Sequence, residues 1–278
     1  MRYFDTAPFY GFGLSERRVG DFLRDKSGYV LSTKVGKLLR AIPQDQVPDH
    51  GFVKPLPFTV DFDYSYDAIM RSYEFSLARL GLNKIDILFV HDPEKRSLGA
   101  AYDADFASFM DGGLKALDRL KSAGAIAGFG MGVNQVSAVL AVIDRVRLDC
   151  LLLASRYTLL DRTGAAEVMP KCLAAGTGVV IGNVFNSGIL ATGAVAGARH
   201  DYGPARADVI ERVNAMEAEV KRQGSTLPAA AMRFVLDHPA VASVLIGSAK
   251  ASRLTRNAAL LRDAKVLNWA AFNALAVT

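Results

Sequence analysis

Residues 85–91 read Ile85-Asp86-Ile87-Leu88-Phe89-Val90-His91, apolar at nearly every position up to the closing histidine. A strand with one wet face alternates between apolar and polar side chains. A strand greasy on both faces needs a cover on each side, which helices supply in a parallel sheet. The flanks agree, because apolar residues recur at helical spacing over Tyr66–Leu80 before the run and over Gly112–Ala123 after it.

The same alternation extends in both directions. Short β-branched or aromatic runs at Arg2–Asp5, Tyr29–Lys34, Ile85–Val90, Ile126–Gly132, Cys150–Ala154, Gly178–Gly182 and Ser243–Ile246 predict seven strands. Helical patterns follow them at Ser15–Arg24, Tyr66–Leu80, Gly112–Ala123, Gln135–Val146, Ala165–Ala175, Arg206–Gln223 and Ala251–Ala259, with an extra helix at Pro228–Leu236. Ser15 is read as a helix cap, and Pro228 suits a first helical turn, where a missing amide hydrogen is no loss. Units of this length build either a doubly wound sheet or a (β/α)8 TIM barrel. The barrel is the expectation, as one domain over residues 1–278. Because the chain opens directly in a strand, the first strand-helix unit, roughly 30 to 40 residues of a full barrel, is expected to be lacking.

Composition narrows the function. An apolar share of 51% against 22% charged residues describes an ordered globular chain. No apolar run reaches the roughly 18 to 20 residues of a membrane span, and no signal pattern opens the sequence, so a cytoplasmic location and no membrane partner are expected. The net charge of +5 is dispersed among acidic residues, which argues against nucleic acid as a partner. Cys150 and Cys172 lack metal-knuckle or redox spacing. They read as buried thiols, and no metal site is expected.

Barrel enzymes carry their working groups at the C-terminal ends of strands. There the sequence sets Asp5 with Tyr10 in the loop behind it, Lys34, and His91. Singly, each has an ordinary explanation as a solvated strand end or turn residue. Together and in order they form a proton-transfer set. A carbonyl accepts hydride only if the developing alkoxide is protonated, and a free tyrosine with a pKa of about 10 is a poor acid at neutral pH. A neighbouring ammonium lowers that pKa by stabilising the phenolate, and a carboxylate keeps the ammonium charged and aimed. Lys34 and Asp5 suit those two roles, and His91 suits a hydrogen bond to the substrate oxygen.

Residues 2–23, RYFDTAPFYGFGLSERRVGDFL, with STKVG at 32–36 and DILFVHDP at 86–93, resemble the aspartate-tyrosine, lysine and histidine motifs of the aldo-keto reductases. The resemblance extends over essentially the whole chain. It implies a barrel that binds NAD(P)(H) without a Rossmann domain and moves hydride between nicotinamide and a carbonyl or alcohol.

The resemblance also assigns cofactor contacts. In MGVNQ, Asn134 and Gln135 stand where the family holds the nicotinamide carboxamide, although Ala154 replaces a usual glutamine and Gly182 a usual stacking aromatic. NSGIL resembles the pyrophosphate loop through Ser187, Gly188 and Leu190. IGSAKASRLTRN resembles the adenosine motif through Gly247, Ser248, Arg253 and Asn257. Gly247 lies where NADP-preferring members often carry lysine, so the cofactor is NAD or NADP with NAD favoured, Arg253 and Arg256 replacing part of the lost charge. Within the family, the Pro-rich segment 47–69, VHDP and HPAVASVLIG resemble the branch that oxidises L-fucose-like aldoses and pyridoxal. Those substrates share a cyclic hemiacetal that oxidises to a lactone. A small sugar or aldehyde is therefore the expected partner, the oligomeric state stays open, and Phe52, Lys54 and Phe58 are expected over the substrate mouth.

Two irregular stretches interrupt the alternation. Lys37–Asp63 carries four prolines and no periodicity, and reads as a functional loop. Ala191–Pro204 reads as mobile. Three competing readings stay open. Gly128-Phe129-Gly130-Met131-Gly132 resembles a dinucleotide turn, with GxGxG where GxGxxG is required. Lys34 at a strand end also suits a Schiff-base aldolase. A nonenzymatic cofactor binder, or a shortened and inactive barrel with unpaired strand edges, is the third.

Overall fold

The computed structural model describes residues 2–248, 250–262 and 264–278, and the chain forms two compact units. The first takes residues 1–133 and 148–150, the second residues 134–147 and 151–278.

In the first unit β1 (Tyr3–Asp5), β2 (Val30–Val35), β3 (Ile87–His91) and β4 (Gly128–Val133) pair in parallel. Register carries the chemistry forward: Asp5 lies opposite Ser32, Lys34 opposite Phe89, and His91 opposite Gly132. The connecting helices are α1 (Leu14–Leu23), α2 (Tyr66–Leu80) and α3 (Leu114–Ser122). Helix α2 opens on Ser65, whose hydroxyl accepts from the Ala68 amide, and closes on Gly81 with φ +63°, a left-handed ending that glycine adopts without strain. Leu31, Val35, Ile69, Leu88, Phe89 and Leu117 are buried between strands and helices. Ser15 does not cap α1. Gly13 holds that position, and the Ser15 hydroxyl instead accepts from Thr6 Oγ1 at 2.9 Å.

The stretch read as an irregular loop is ordered at its base. Lys37–Ala41 and Phe58–Phe62 form an antiparallel hairpin with Lys37 opposite Phe62. Its prolines fall in the tip, where no ladder amide is needed. Gly36 turns the chain into it at φ +95°, and a Cβ there would meet the Tyr64 ring at 2.3 Å. The GxGxG run is not a strand-to-helix turn either. It lies inside β4, where a Cβ on Gly130 would meet the Cys150 carbonyl oxygen at 1.8 Å. These glycines permit close backbone packing, which removes the Rossmann reading.

The second unit contains α4 (Val136–Ile143), β5 (Cys150–Ala154, from Leu151 onward), α5 (Val168–Ala175), β6 (Gly178–Gly182), α6 (Ala207–Arg222), α7 (Leu227–Leu236), β7 (Val241–Val244) and α8 (Ala251–Arg262). Strands β6 and β7 are parallel, with an irregularity between Val241 and Ser243. Helix α6 buries Val209, Val213, Met216 and Val220, a stripe at alternating four- and three-residue spacing. Pro228 sits in the first turn of α7. Part of the stretch expected to be mobile is a two-residue hairpin, Arg199–His200 against Gly203–Pro204, turning through Asp201 and Tyr202 at positive φ.

Among the described residues the parallel strands follow chain order from β1 to β4 in the first unit, and in the second β6 pairs with β7, the next strand along the chain. That is the order of a (β/α)8 barrel, not of a doubly wound sheet, whose order reverses at a switch point. Cys150 and Cys172 are buried and free, and burial pushes their thiols up to about 12 and about 11. Among the described residues no helix is long and apolar enough to cross a membrane, and no cluster of three or more His, Cys, Asp or Glu could hold a metal.

Candidate active site

Asp5, Tyr10, Lys34 and His91 come together in the first unit. The end of β1 presents Asp5, whose Oδ1 accepts from Ser32 Oγ at 2.6 Å. Its Oδ2 accepts from Lys34 Nζ at 2.6 Å, and the same ammonium donates to the Thr6 carbonyl at 2.8 Å. Lys34 is 1% exposed, and its Nζ lies 4.8 Å from the centroid of the Tyr10 ring. The Tyr10 ring meets His91 edge-on at 5.9 Å.

Burial is the largest influence on Lys34 and opposes its charge, but Asp5 and Tyr10 together outweigh it and hold the pKa above the ordinary value. Tyr10 runs the other way from expectation. Burial drives its pKa up, Lys34 pulls it down, Asp5 pushes it up again, and the net direction is upward. Tyr10 is therefore a neutral phenol at physiological pH, with a cation at hand for the phenolate it leaves after giving up its proton. Burial first, then Lys37 and Lys34, push His91 well below its usual range, so its imidazole is uncharged. Its Nδ1 is buried without a hydrogen-bond partner among the described residues.

Residues not singled out in the sequence surround this set. The Phe9 ring lies 6.1 Å from His91, 5.1 Å from His50 and 5.3 Å from Phe52. Phe52 thus joins an aromatic wall beside the histidine. Lys54 is exposed at φ +52°, and Phe58 sits opposite Ala41 in the hairpin ladder. Lys37 Nζ donates to Asp92 Oδ2 at 2.6 Å and lies 4.7 Å above the Phe9 ring. The sequence did carry a signal for this pair: a second lysine three positions after Lys34, and an aspartate directly after His91.

The residues assigned to the cofactor lie in the second unit. Asn134 accepts from Arg156 Nε through its carbonyl at 2.7 Å and from the Tyr202 hydroxyl through Oδ1 at 3.0 Å. Gln135 stands at the N-cap of α4. Ser187 Oγ accepts from the Tyr202 amide at 3.0 Å, and Leu190 is buried. Between them Gly188, at φ +102°, opens a single helical turn, Ile189–Thr192. Ser248 Oγ bonds Lys250 at its amide and carbonyl, and Arg253 is exposed on α8. Asn257 is 6% exposed, and its buried Oδ1 has no partner among the described residues. An orphaned acceptor of this kind costs free energy unless a ligand donor reaches it, and a purine amino group is such a donor, so the residues present fit a dinucleotide.

Fold and strand-end set together define a parallel α/β barrel equipped for proton-coupled carbonyl chemistry. The chain belongs to the aldo/keto reductase family, whose model matches residues 1–274, and it is an NAD(P)-dependent oxidoreductase. It is 41% identical over 273 residues to pyridoxal 4-dehydrogenase of Microbacterium luteolum, covering 92% of this chain and 78% of that one. It is 36% identical over 265 residues to D-threo-aldose 1-dehydrogenase of a Pseudomonas species, covering 93% and 78%. An aldo-keto reductase from Bacillus halodurans in its holo form superposes with a TM-score of 0.77 over 99% of this chain and 83% of that one, at 21% identity, a likeness of fold alone.

Proposed function

We propose that this chain works as one barrel domain in the cytoplasm and oxidises the cyclic hemiacetal of an L-fucose-like aldose or of pyridoxal to a lactone, with NAD favoured over NADP. The observation that carries the reading is the buried Lys34–Asp5 pair beneath Tyr10. The similarity to a pyridoxal and an aldose dehydrogenase supports the substrate class.

Asn134, Gln135, Ser187, Gly188, Leu190, Gly247, Ser248, Arg253 and Asn257 would hold the dinucleotide, which supplies the hydride acceptor when bound. The rest falls to the chain. In the reductive direction Tyr10 gives its phenolic proton to the developing alkoxide, and Lys34 stabilises the phenolate while Asp5 keeps the ammonium aimed. In the oxidative direction the same oxygen takes the hydroxyl proton. His91, uncharged, donates a hydrogen bond to the substrate oxygen. Phe9 and Phe52 offer an aromatic face that suits both a pyridine ring and the C–H face of a sugar. A Schiff-base role for Lys34 needs a neutral amine, and the Asp5 carboxylate favours the opposite state.

The test is the rise in reduced-nicotinamide absorbance with L-fucose, D-arabinose and pyridoxal, each with NAD and with NADP. Turnover of at least one, faster at higher pH because oxidation needs the phenolate, is expected. No turnover with any, or borohydride trapping of substrate on Lys34, overturns the reading.

A further inference from the structure

Lys37 and Asp92 form a second buried ion pair, beside the catalytic set and outside it. Their side chains are 5% and 15% exposed and meet at 2.6 Å. Removing two charges from water is costly and is repaid only by good geometry and a complete set of partners. The surroundings are built to hold the pair. Gly36 turns β2 into the hairpin that carries Lys37, and the Lys37 ammonium lies between the Phe9 and Phe62 rings, at 4.7 and 5.3 Å. Asp92 takes φ +48°, its amide bonds the Gly132 carbonyl at 2.9 Å, and Tyr64 donates to the carbonyls of both His91 and Asp92 at 2.8 and 3.2 Å.

The carboxylate oxygen that accepts from Lys37 also lies 3.4 Å from His91 Nε2. A carboxylate at that distance, in a site closed to water, attracts an imidazole proton and favours the imidazolium. An imidazole whose Nε2–H is held by Asp92 has that donor committed to the carboxylate and turned away from a substrate oxygen. We propose that the Lys37–Asp92 ion pair is a positioning device for His91: Lys37 occupies the carboxylate and so keeps Asp92 from claiming the imidazole, leaving it to serve the substrate carbonyl. The inference rests on the proton-transfer role given to His91 above. Other charged and titratable groups near His91 are Lys34 on β2 with Asp5 behind it, Tyr10 on the β1 loop and Tyr64 ahead of α2. The two lysines act on His91 in the same direction, and burial exceeds both.

The experiment follows the ring-carbon resonances of the four histidines by NMR from pH 5 to 9, with His91→Asn supplying the assignment. In the unmodified protein His91 stays neutral well below the ordinary range of a histidine. In Lys37→Met its titration moves upward from there, and turnover at pH 6 falls by roughly tenfold more than at pH 8. In Lys37→Met/Asp92→Asn, which removes both charges of the pair, His91 is neutral again and the acid-side loss disappears. Lys37→Arg behaves like the unmodified protein. If Lys37→Met does not fold, Lys37→Gln takes its place and must show the same upward movement of the His91 titration. An unchanged His91 titration in Lys37→Met, or a double variant that titrates as Lys37→Met does, overturns the proposal; a merely structural ion pair would lower stability and move neither. The titration needs no substrate, so expected titrations without turnover on any carbonyl would overturn the functional reading and not the ion-pair effect.

Discussion

Lys34 Nζ and Asp5 Oδ2 stand 2.6 Å apart with side chains only 2% and 9% exposed. Breaking such a pair from one side strands a charge in the interior. Asp5→Ala is expected to destabilise the protein by about 3 to 5 kcal/mol, read as a lower midpoint in urea unfolding with an unchanged slope. A loss within the range of surface substitutions would mean that water reaches Lys34.

Tyr10→Phe removes the proton donor and leaves the ring that packs against His91. Turnover should fall by roughly 10² to 10⁴-fold while the cofactor dissociation constant, followed by fluorescence titration, stays within a factor of two or so. Retained turnover would end the assignment of Tyr10.

The two buried bases act on opposite limbs of the stability profile. Lys34, with its pKa raised, contributes stability that is complete at neutral pH and is lost only as strongly alkaline pH passes its folded value. His91, with its pKa lowered, stays neutral in the fold while the unfolded chain takes up a proton below about 6.5. Stability should therefore decline by about 1.4 kcal/mol for each pH unit from 6.5 down to the folded value. Chemical unfolding at pH 7.5, 6.0 and 5.0 checks this, and His91→Asn should flatten that part of the profile. Equal slopes for the two proteins would show that His91 titrates normally.

Among the described residues nothing lies within 4 Å of where a Cβ on Gly247 would stand, and its φ is not in the left-handed region. Gly247→Lys is thus sterically permitted. If the adenosine end binds at this segment, the added ammonium should shift the kcat/KM ratio toward NADP by roughly tenfold, about 1.4 kcal/mol. An unchanged ratio would move the 2′-phosphate site elsewhere.

The barrel alternation was legible because its strands are greasy on both faces and its helices are amphipathic. The boundaries of Tyr66–Leu80, Cys150–Ala154 and Gly178–Gly182 agree with the structure to the residue. The meeting of Asp5, Lys34 and His91 was legible because register in a parallel sheet brings strand ends to one level, and Tyr10 follows in the loop after the first of them. Local ladders were not. The hairpin from Lys37 to Phe62 is interrupted by proline at its tip and has no alternating pattern, so only its pairing reveals it. Nor was the balance on Tyr10 legible, since a neighbouring lysine can be read from order along the chain whereas the weight of burial requires the packed site.

The ladder from Lys37 to Ala41 closes the base of an excursion whose far end carries His50 and Phe52. Because His50 and Phe52 at the tip pack on Phe9, whose ring lies 6.1 Å from His91, an exchange at the tip is felt at the histidine through one shared ring, while the ladder at the neck holds the backbone that carries Lys37.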